Sequence, residues 1–149
     1  MASNTPYQPD GYQSVIPYLH VNGAARLIAF MKDVFNAQEI AVYPRPDGTV
    51  GHAALRVGDS VIELADVSPE WPAMPCALQV YVPDADAAYH RALKAGASSL
   101  LPPATQFYGD RTASVRDSSG NNWYIATQIE VVSREEVNKR IAVMGQSKG

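Results

Sequence analysis

Apolar positions recur with two alternating periods, and the alternation runs through twice. SVIPYLHV (14–21) is rich in β-branched and aromatic residues and predicts a strand. Asn22 is then placed to cap a helix in which Leu27, Ile28, Met31, Val34 and Phe35 share one face. Asn36 stands where a left-handed terminating residue is wanted, so the helix should stop there. EIAVYP (39–44), VGHAALRV (50–57) and SVIELA (60–65) follow as strands, with turns at Pro46-Asp47-Gly48 and Gly58-Asp59.

The second half restarts the pattern. CALQVYV (76–82) is a strand, and Asp84 caps a helix with the stripe Ala85, Ala88, Tyr89, Ala92 and Leu93. Gly96-Ala97 ends it as Asn36-Ala37 ended the first. A less regular strand near 98–107 is interrupted by Pro102-Pro103, and the strands RTASVRD and NNWYIATQI are joined through Ser118-Ser119-Gly120-Asn121. The chain therefore writes βαβββ twice, the mark of a duplicated unit. The expected organisation is an N-terminal arm (1–13), a first module (14–67), a second module (76–130) and a C-terminal helix and tail (131–149). In that last helix Ser133 and Glu136 form a capping box, and Val137, Ile141 and Met144 make a stripe that suggests a dimer or cavity-cover element.

Strand side chains alternate faces, so each strand sorts into two sides. Leu19, Val21, Ala53, Leu55, Val57, Ile62, Leu64, Leu78, Val80, Val82, Trp123 and Ile125 make sides that can bury the helices. The opposite sides carry Tyr18, His20, His52, Arg56, Glu63, Gln79, Tyr81 and Tyr124, interleaved with Ile16, Ala54, Val61, Ala65 and Ala126. That second face is too apolar to be fully solvated. An apolar lining with a few ionisable groups is what a small-molecule cavity requires.

Charge and composition narrow the class. The 149 residues are 46% hydrophobic and 18% charged with a net charge of −3, which suits one globular domain and argues against nucleic acid. No segment approaches the length of a membrane span, and the polar start MASNTPYQPDGYQ lacks a signal-peptide pattern. The single cysteine, Cys76, suits a reducing cytoplasm and has no activating base beside it.

PYLHVNGAARLIAFMKDVFNA, DGTVGHAALRVGDSVIELAD, QVYVPDADAAYHRALKAGA and QFYGDRTASVRDSSGNNWYIAT resemble, in order, the vicinal-oxygen-chelate superfamily of glyoxalases, bleomycin-resistance proteins and dioxygenases. The GDR and D-x-x-G-N pieces look most like its PhnB-like branch. The resemblance implies an α+β fold of paired βαβββ modules, each a mixed sheet half-rolled around a cavity, usually assembled as a homodimer. In metal-dependent members it implies four ligands, which fall here on Ile16, Glu63, Ala77 and Tyr124. Only Glu63 keeps a usual ligating side chain. A divalent ion wants three or four protein ligands, so no cofactor is expected. Any rebuilt metal site would use Glu63 with His52.

Glu63 is the candidate catalytic residue, a general acid or base unless a salt bridge to Arg56 or Arg111 engages it. Tyr18, His52, Arg56, Gln79, Tyr81, Tyr108, Arg111 and Tyr124 are candidate ligand contacts. Within that set, Gly109 would bring Tyr108 and Arg111 to a cavity mouth, for stacking and for anion pairing. The competing reading is an Asp110–Arg111 turn that staples the modules together. Two functions fit: a small-molecule binder of the resistance or sequestration kind without the full metal site, or a lyase, isomerase or dioxygenase using Glu63.

Overall fold

The computed structural model describes residues 4–147, so the first three residues of the arm and the last two of the tail lie outside it. Among the described residues, eight strands and three helices form two compact units, one reaching to residue 76 and including 118–120, the other of 77–117 with the residues from 121 onward.

In the first unit, β1 (Tyr18–Val21), α1 (Ala24–Phe35), β2 (Gln38–Pro44), β3 (Val50–Val57) and β4 (Ser60–Asp66) build a mixed sheet in the order β1-β4-β3-β2. β1 and β4 are parallel, whereas β2–β3 and β3–β4 are antiparallel. The predicted stripe of α1 is buried, joined by Ala24 and Phe30, and it covers the Leu19, Val21, Ala53, Leu55, Ile62 and Leu64 side of the sheet. Asn36 ends the helix at φ 56, the left-handed conformation expected of it.

The start of α1 departs from expectation. The capping position is Gly23, left-handed at φ 84, and Asn22 supplies no side-chain cap. Asp66, at the end of β4, takes over that role: its Oδ1 accepts from the N–H groups of Gly23 and Ala24, at 3.0 and 2.9 Å. The other oxygen, Oδ2, accepts from Val50 N at 2.8 Å, so one carboxylate ties the helix start to the sheet.

β1 is also shorter than the predicted 14–21. Pro17 has no N–H to give to a ladder, although its carbonyl accepts from Glu63 N. Beyond it the side chain of Gln13 substitutes for a strand. Its carboxamide donates to Val61 O at 2.7 Å and accepts from Val61 N at 3.0 Å. Arg56 holds the same arm by donating to Gly11 O.

The second unit repeats the topology with β5 (Ala77–Tyr81), α2 (Ala85–Lys94), β6 (Ser98–Thr105), β7 (Asp110–Arg116) and β8 (Asn122–Gln128), ordered β5-β8-β7-β6. Asp84 caps α2 through Ala87 N as its position predicts. Pro102 and Pro103 are accommodated by a register shift between Leu101 and Ala104. Trp123 is buried, and its indole N–H donates to Asp117 Oδ2 at 2.8 Å; the buried Asn121 donates to the same carboxylate. α3 (Arg134–Ser147) follows β8. Ser133 accepts from Glu136 N, half of the expected box, while the Glu136 carboxylate turns to Arg140. Ile141 and Met144 stay exposed.

Candidate functional site

The face of the first sheet away from α1 gathers the ionisable residues. Tyr18 on β1 lies directly beside Glu63 on β4, and Glu63 beside Ala54 on β3. Residues paired across strands share a face, so one chain of hydrogen bonds can cross three strands. Glu63 Oε2 lies 3.1 Å from His52 Nε2, and His52 Nδ1 lies 3.1 Å from the Tyr18 hydroxyl. A carboxylate only accepts, so neutral His52 carries its proton on Nε2 and leaves Nδ1 to accept from Tyr18. The expected partners of Glu63, Arg56 and Arg111, are committed elsewhere. Burial first, and the negative charge of Glu63 second, hold the Tyr18 phenol above its ordinary value, against an opposing pull from Arg45.

Beside this chain opens a cleft of about 390 Å³ lined by Tyr18, His20, Arg45, Gly51, Ala65 and Trp71. Trp71 stacks on His20 with ring centres 5.4 Å apart and planes 11° apart, and Tyr18 continues the row at 5.0 Å from His20. Two local devices place Trp71. Ser68 and Trp71 exchange backbone hydrogen bonds in a tight turn, and Met74 N donates to His20 O, fastening the segment to β1. On β3, Gly51 leaves room for Arg45, because a Cβ there would meet Arg45 Cγ at 3.1 Å and Tyr43 O at 3.3 Å.

The structure brings together Tyr18, His52 and Glu63 among the sequence-predicted site residues. Arg56 serves the N-terminal arm. Gln79 and Tyr124 are neighbours on β5 and β8 of the second sheet. Tyr81 donates to the buried Asp110 at 2.7 Å, and that hydrogen bond is the first cause of its raised pKa. Arg111 forms a two-pronged ion pair with Asp86 of α2, which lowers the Asp86 pKa. It is therefore neither a partner of Glu63 nor a free anion anchor.

Gly109 has a packing role: at φ 103, a Cβ on it would lie 2.3 Å from Glu130 O, and its carbonyl accepts from Ile129 N and Glu130 N. Tyr108 meets Phe107 edge-on beside this turn. The strand pairing also places the metal positions carried over from the resemblance. Ile16 precedes β1 and Ala77 pairs with Asn122, so the strand neighbours of Glu63 and Tyr124 are Tyr18 and Gln79.

Among the described residues no three His, Cys, Asp or Glu side chains converge. Glu63 with one imidazole falls short of the three or four donors a divalent ion takes, so these residues do not fit the family's metal centre. Arg45, Gly51 and Trp71 were not singled out by sequence reasoning. Only the fold directs them at one cleft.

Comparison with known proteins agrees with this architecture. The family model described as Glyoxalase/Bleomycin resistance protein/Dioxygenase superfamily matches residues 15–125. An uncharacterized protein of Mycobacterium tuberculosis is 31% identical over 140 residues, covering 87% of this chain and 82% of that protein. The crystal structure of TioX from Micromonospora sp. ML1 superposes with a TM-score of 0.66 at 24% identity, covering 78% of this chain and 99% of that one. The fosfomycin resistance protein FosX from Mesorhizobium loti does so with a TM-score of 0.58 at 15% identity, covering 83% of this chain and 95% of that one. At these identities the two structures speak for the fold alone.

Proposed function

Since the chain belongs to the Glyoxalase/Bleomycin resistance protein/Dioxygenase superfamily, we propose that it binds a small molecule in the cleft of its first module, without the metal centre of its metal-dependent relatives. The observation that carries this is the cleft itself, about 390 Å³ walled by Trp71, His20 and Tyr18. That volume and lining fall within the range of small-molecule sites. Glu63, the one remaining carboxylate of the family's ligand pattern, is engaged by His52. A binding wall with one carboxylate engaged by an imidazole supports a role in sequestration or resistance.

The GDR (109–111) and D-x-x-G-N (117–121) stretches favour the PhnB-like branch. The single cysteine favours the cytoplasm, and homodimeric assembly is the family's usual form. Elemental analysis and thermal-shift screening test the main proposal together. Wild type should carry no stoichiometric metal, and an organic ligand at about 100 times its Kd should add about 2.7 kcal/mol of stability. Stoichiometric metal that is lost in Glu63→Gln would overturn the reading.

The chain Tyr18–His52–Glu63 favours a second reading, a metal-independent acid–base enzyme. In its first half, Tyr18 Oη takes a proton from an acidic C–H or O–H of the substrate as its own proton passes to His52 Nδ1. The substrate becomes an anion, the imidazole an imidazolium paired with Glu63, and return of the proton to another substrate atom completes an isomerisation. Turnover that survives chelation and falls at least about 100-fold in Tyr18→Phe would favour this reading over simple binding.

A further inference from the structure

We infer that the ligand of this cleft is a flat aromatic acid, its ring stacked on Trp71 and its anionic group received by Arg45. The inference rests on the cleft being a small-molecule site and names what that site selects.

Arg45 carries an uncompensated charge. Its guanidinium donates to Asp66 O at 2.9 Å, Val67 O at 3.1 Å and Thr49 Oγ1 at 3.3 Å, all uncharged acceptors. Among the described residues no carboxylate pairs with it. Asp47, an acid that feels its field, spends its carboxylate on Thr49. Glu63 is held by His52, and Asp66 by three backbone amides. A guanidinium has five N–H groups, so Nε and one hydrogen on Nη2 are left for a ligand. Backbone carbonyls fix the fork in place without neutralising it, which suits planar recognition of a carboxylate or sulfonate. The missing Cβ of Gly51 keeps space for that arrangement.

The other wall is aromatic. Trp71 is 60% exposed although its ring is already ordered against His20, so ligand stacking would not have to immobilise it. A bicyclic ring fits a cleft of about 390 Å³. Neutral aromatics would use only the wall, and simple inorganic anions only the guanidinium.

The matched pair 2-naphthoate and 2-naphthamide separates these contributions, read by quenching of Trp71. The chain has two tryptophans, and the second, Trp123, is buried at 1% exposure. Wild type should bind the acid about tenfold more tightly than the amide, because the carboxylate forms an ion pair with the guanidinium and offers its fork two acceptors, whereas the amide offers one neutral oxygen. The preference should vanish in Arg45→Gln, and survive in part in Arg45→Lys, which keeps the charge but loses the fork.

Equal binding of acid and amide by wild type would overturn the inference while leaving the cleft a small-molecule site, and it needs no variant. A preference that persists in Arg45→Gln would remove Arg45 from the proposal. If the acid, the amide and the cationic 2-naphthylmethylammonium all fail to quench Trp71 or raise the melting temperature, the small-molecule reading falls with it.

Discussion

Asp66 accepts three backbone N–H groups at 2.8–3.0 Å, joining the start of α1 to the start of β3. Replacing it with alanine leaves those donors half-buried and unpaired, and urea unfolding should show a loss of about 3 kcal/mol. Gly109→Ala should cost as much or more, since its Cβ would sit 2.3 Å from a carbonyl oxygen at a φ of 103. Tyr18 gives a pH signature. The folded protein holds its phenolic proton more tightly than the unfolded chain does, with an ordinary value of 10.0. That stabilisation is complete below the ordinary value and drains away as pH climbs through the higher folded one. Above pH 10, wild type should therefore lose stability more steeply than Tyr18→Phe in parallel chemical denaturation. Residues acting on the backbone beside them were legible in the sequence, as Asn36 and Asp84 were. Asn22 was not, because the carboxylate that displaces it comes from Asp66, 42 positions beyond the Ala24 N–H that it accepts.

The two module helices and seven of the eight strands lie within two residues of where the pattern put them, since each buries one face and polar positions mark the other. β1 failed for a reason periodicity cannot register: a glutamine side chain occupies the ladder where backbone was expected. Gln13→Ala should speed hydrogen exchange at the Val61 amide and cost about 1–2 kcal/mol, with little change at Leu64 deeper in the strand. β6 runs past its two prolines because a bulge absorbs them. The capping box of α3 formed by half, as Arg140 draws Glu136 away while also reaching Phe107 O and Glu130.

The two units share a strand order yet differ in what their open faces carry. The first presents the histidine–carboxylate pair and the aromatic cleft, the second Tyr81 bound to Asp110, while Arg111 turns to Asp86 of α2. The duplication was legible because each copy repeats the same switch from period two to period three to four. The division of labour was not, because it depends on which ionisable groups neutralise one another. If binding proceeds without metal as proposed, chelator treatment should leave the melting temperature within about 1 °C, below the roughly 2–4 °C expected for a loss of 1 kcal/mol in a chain of this length. One consequence concerns solubility. The carboxamide of Gln13 plugs a gap in the sheet, so trimming the chain past that position would unmask two hungry peptide groups on β4. A neighbouring molecule could dock its own extended segment there, and such shortened protein should clump on storage where the intact chain stays dispersed.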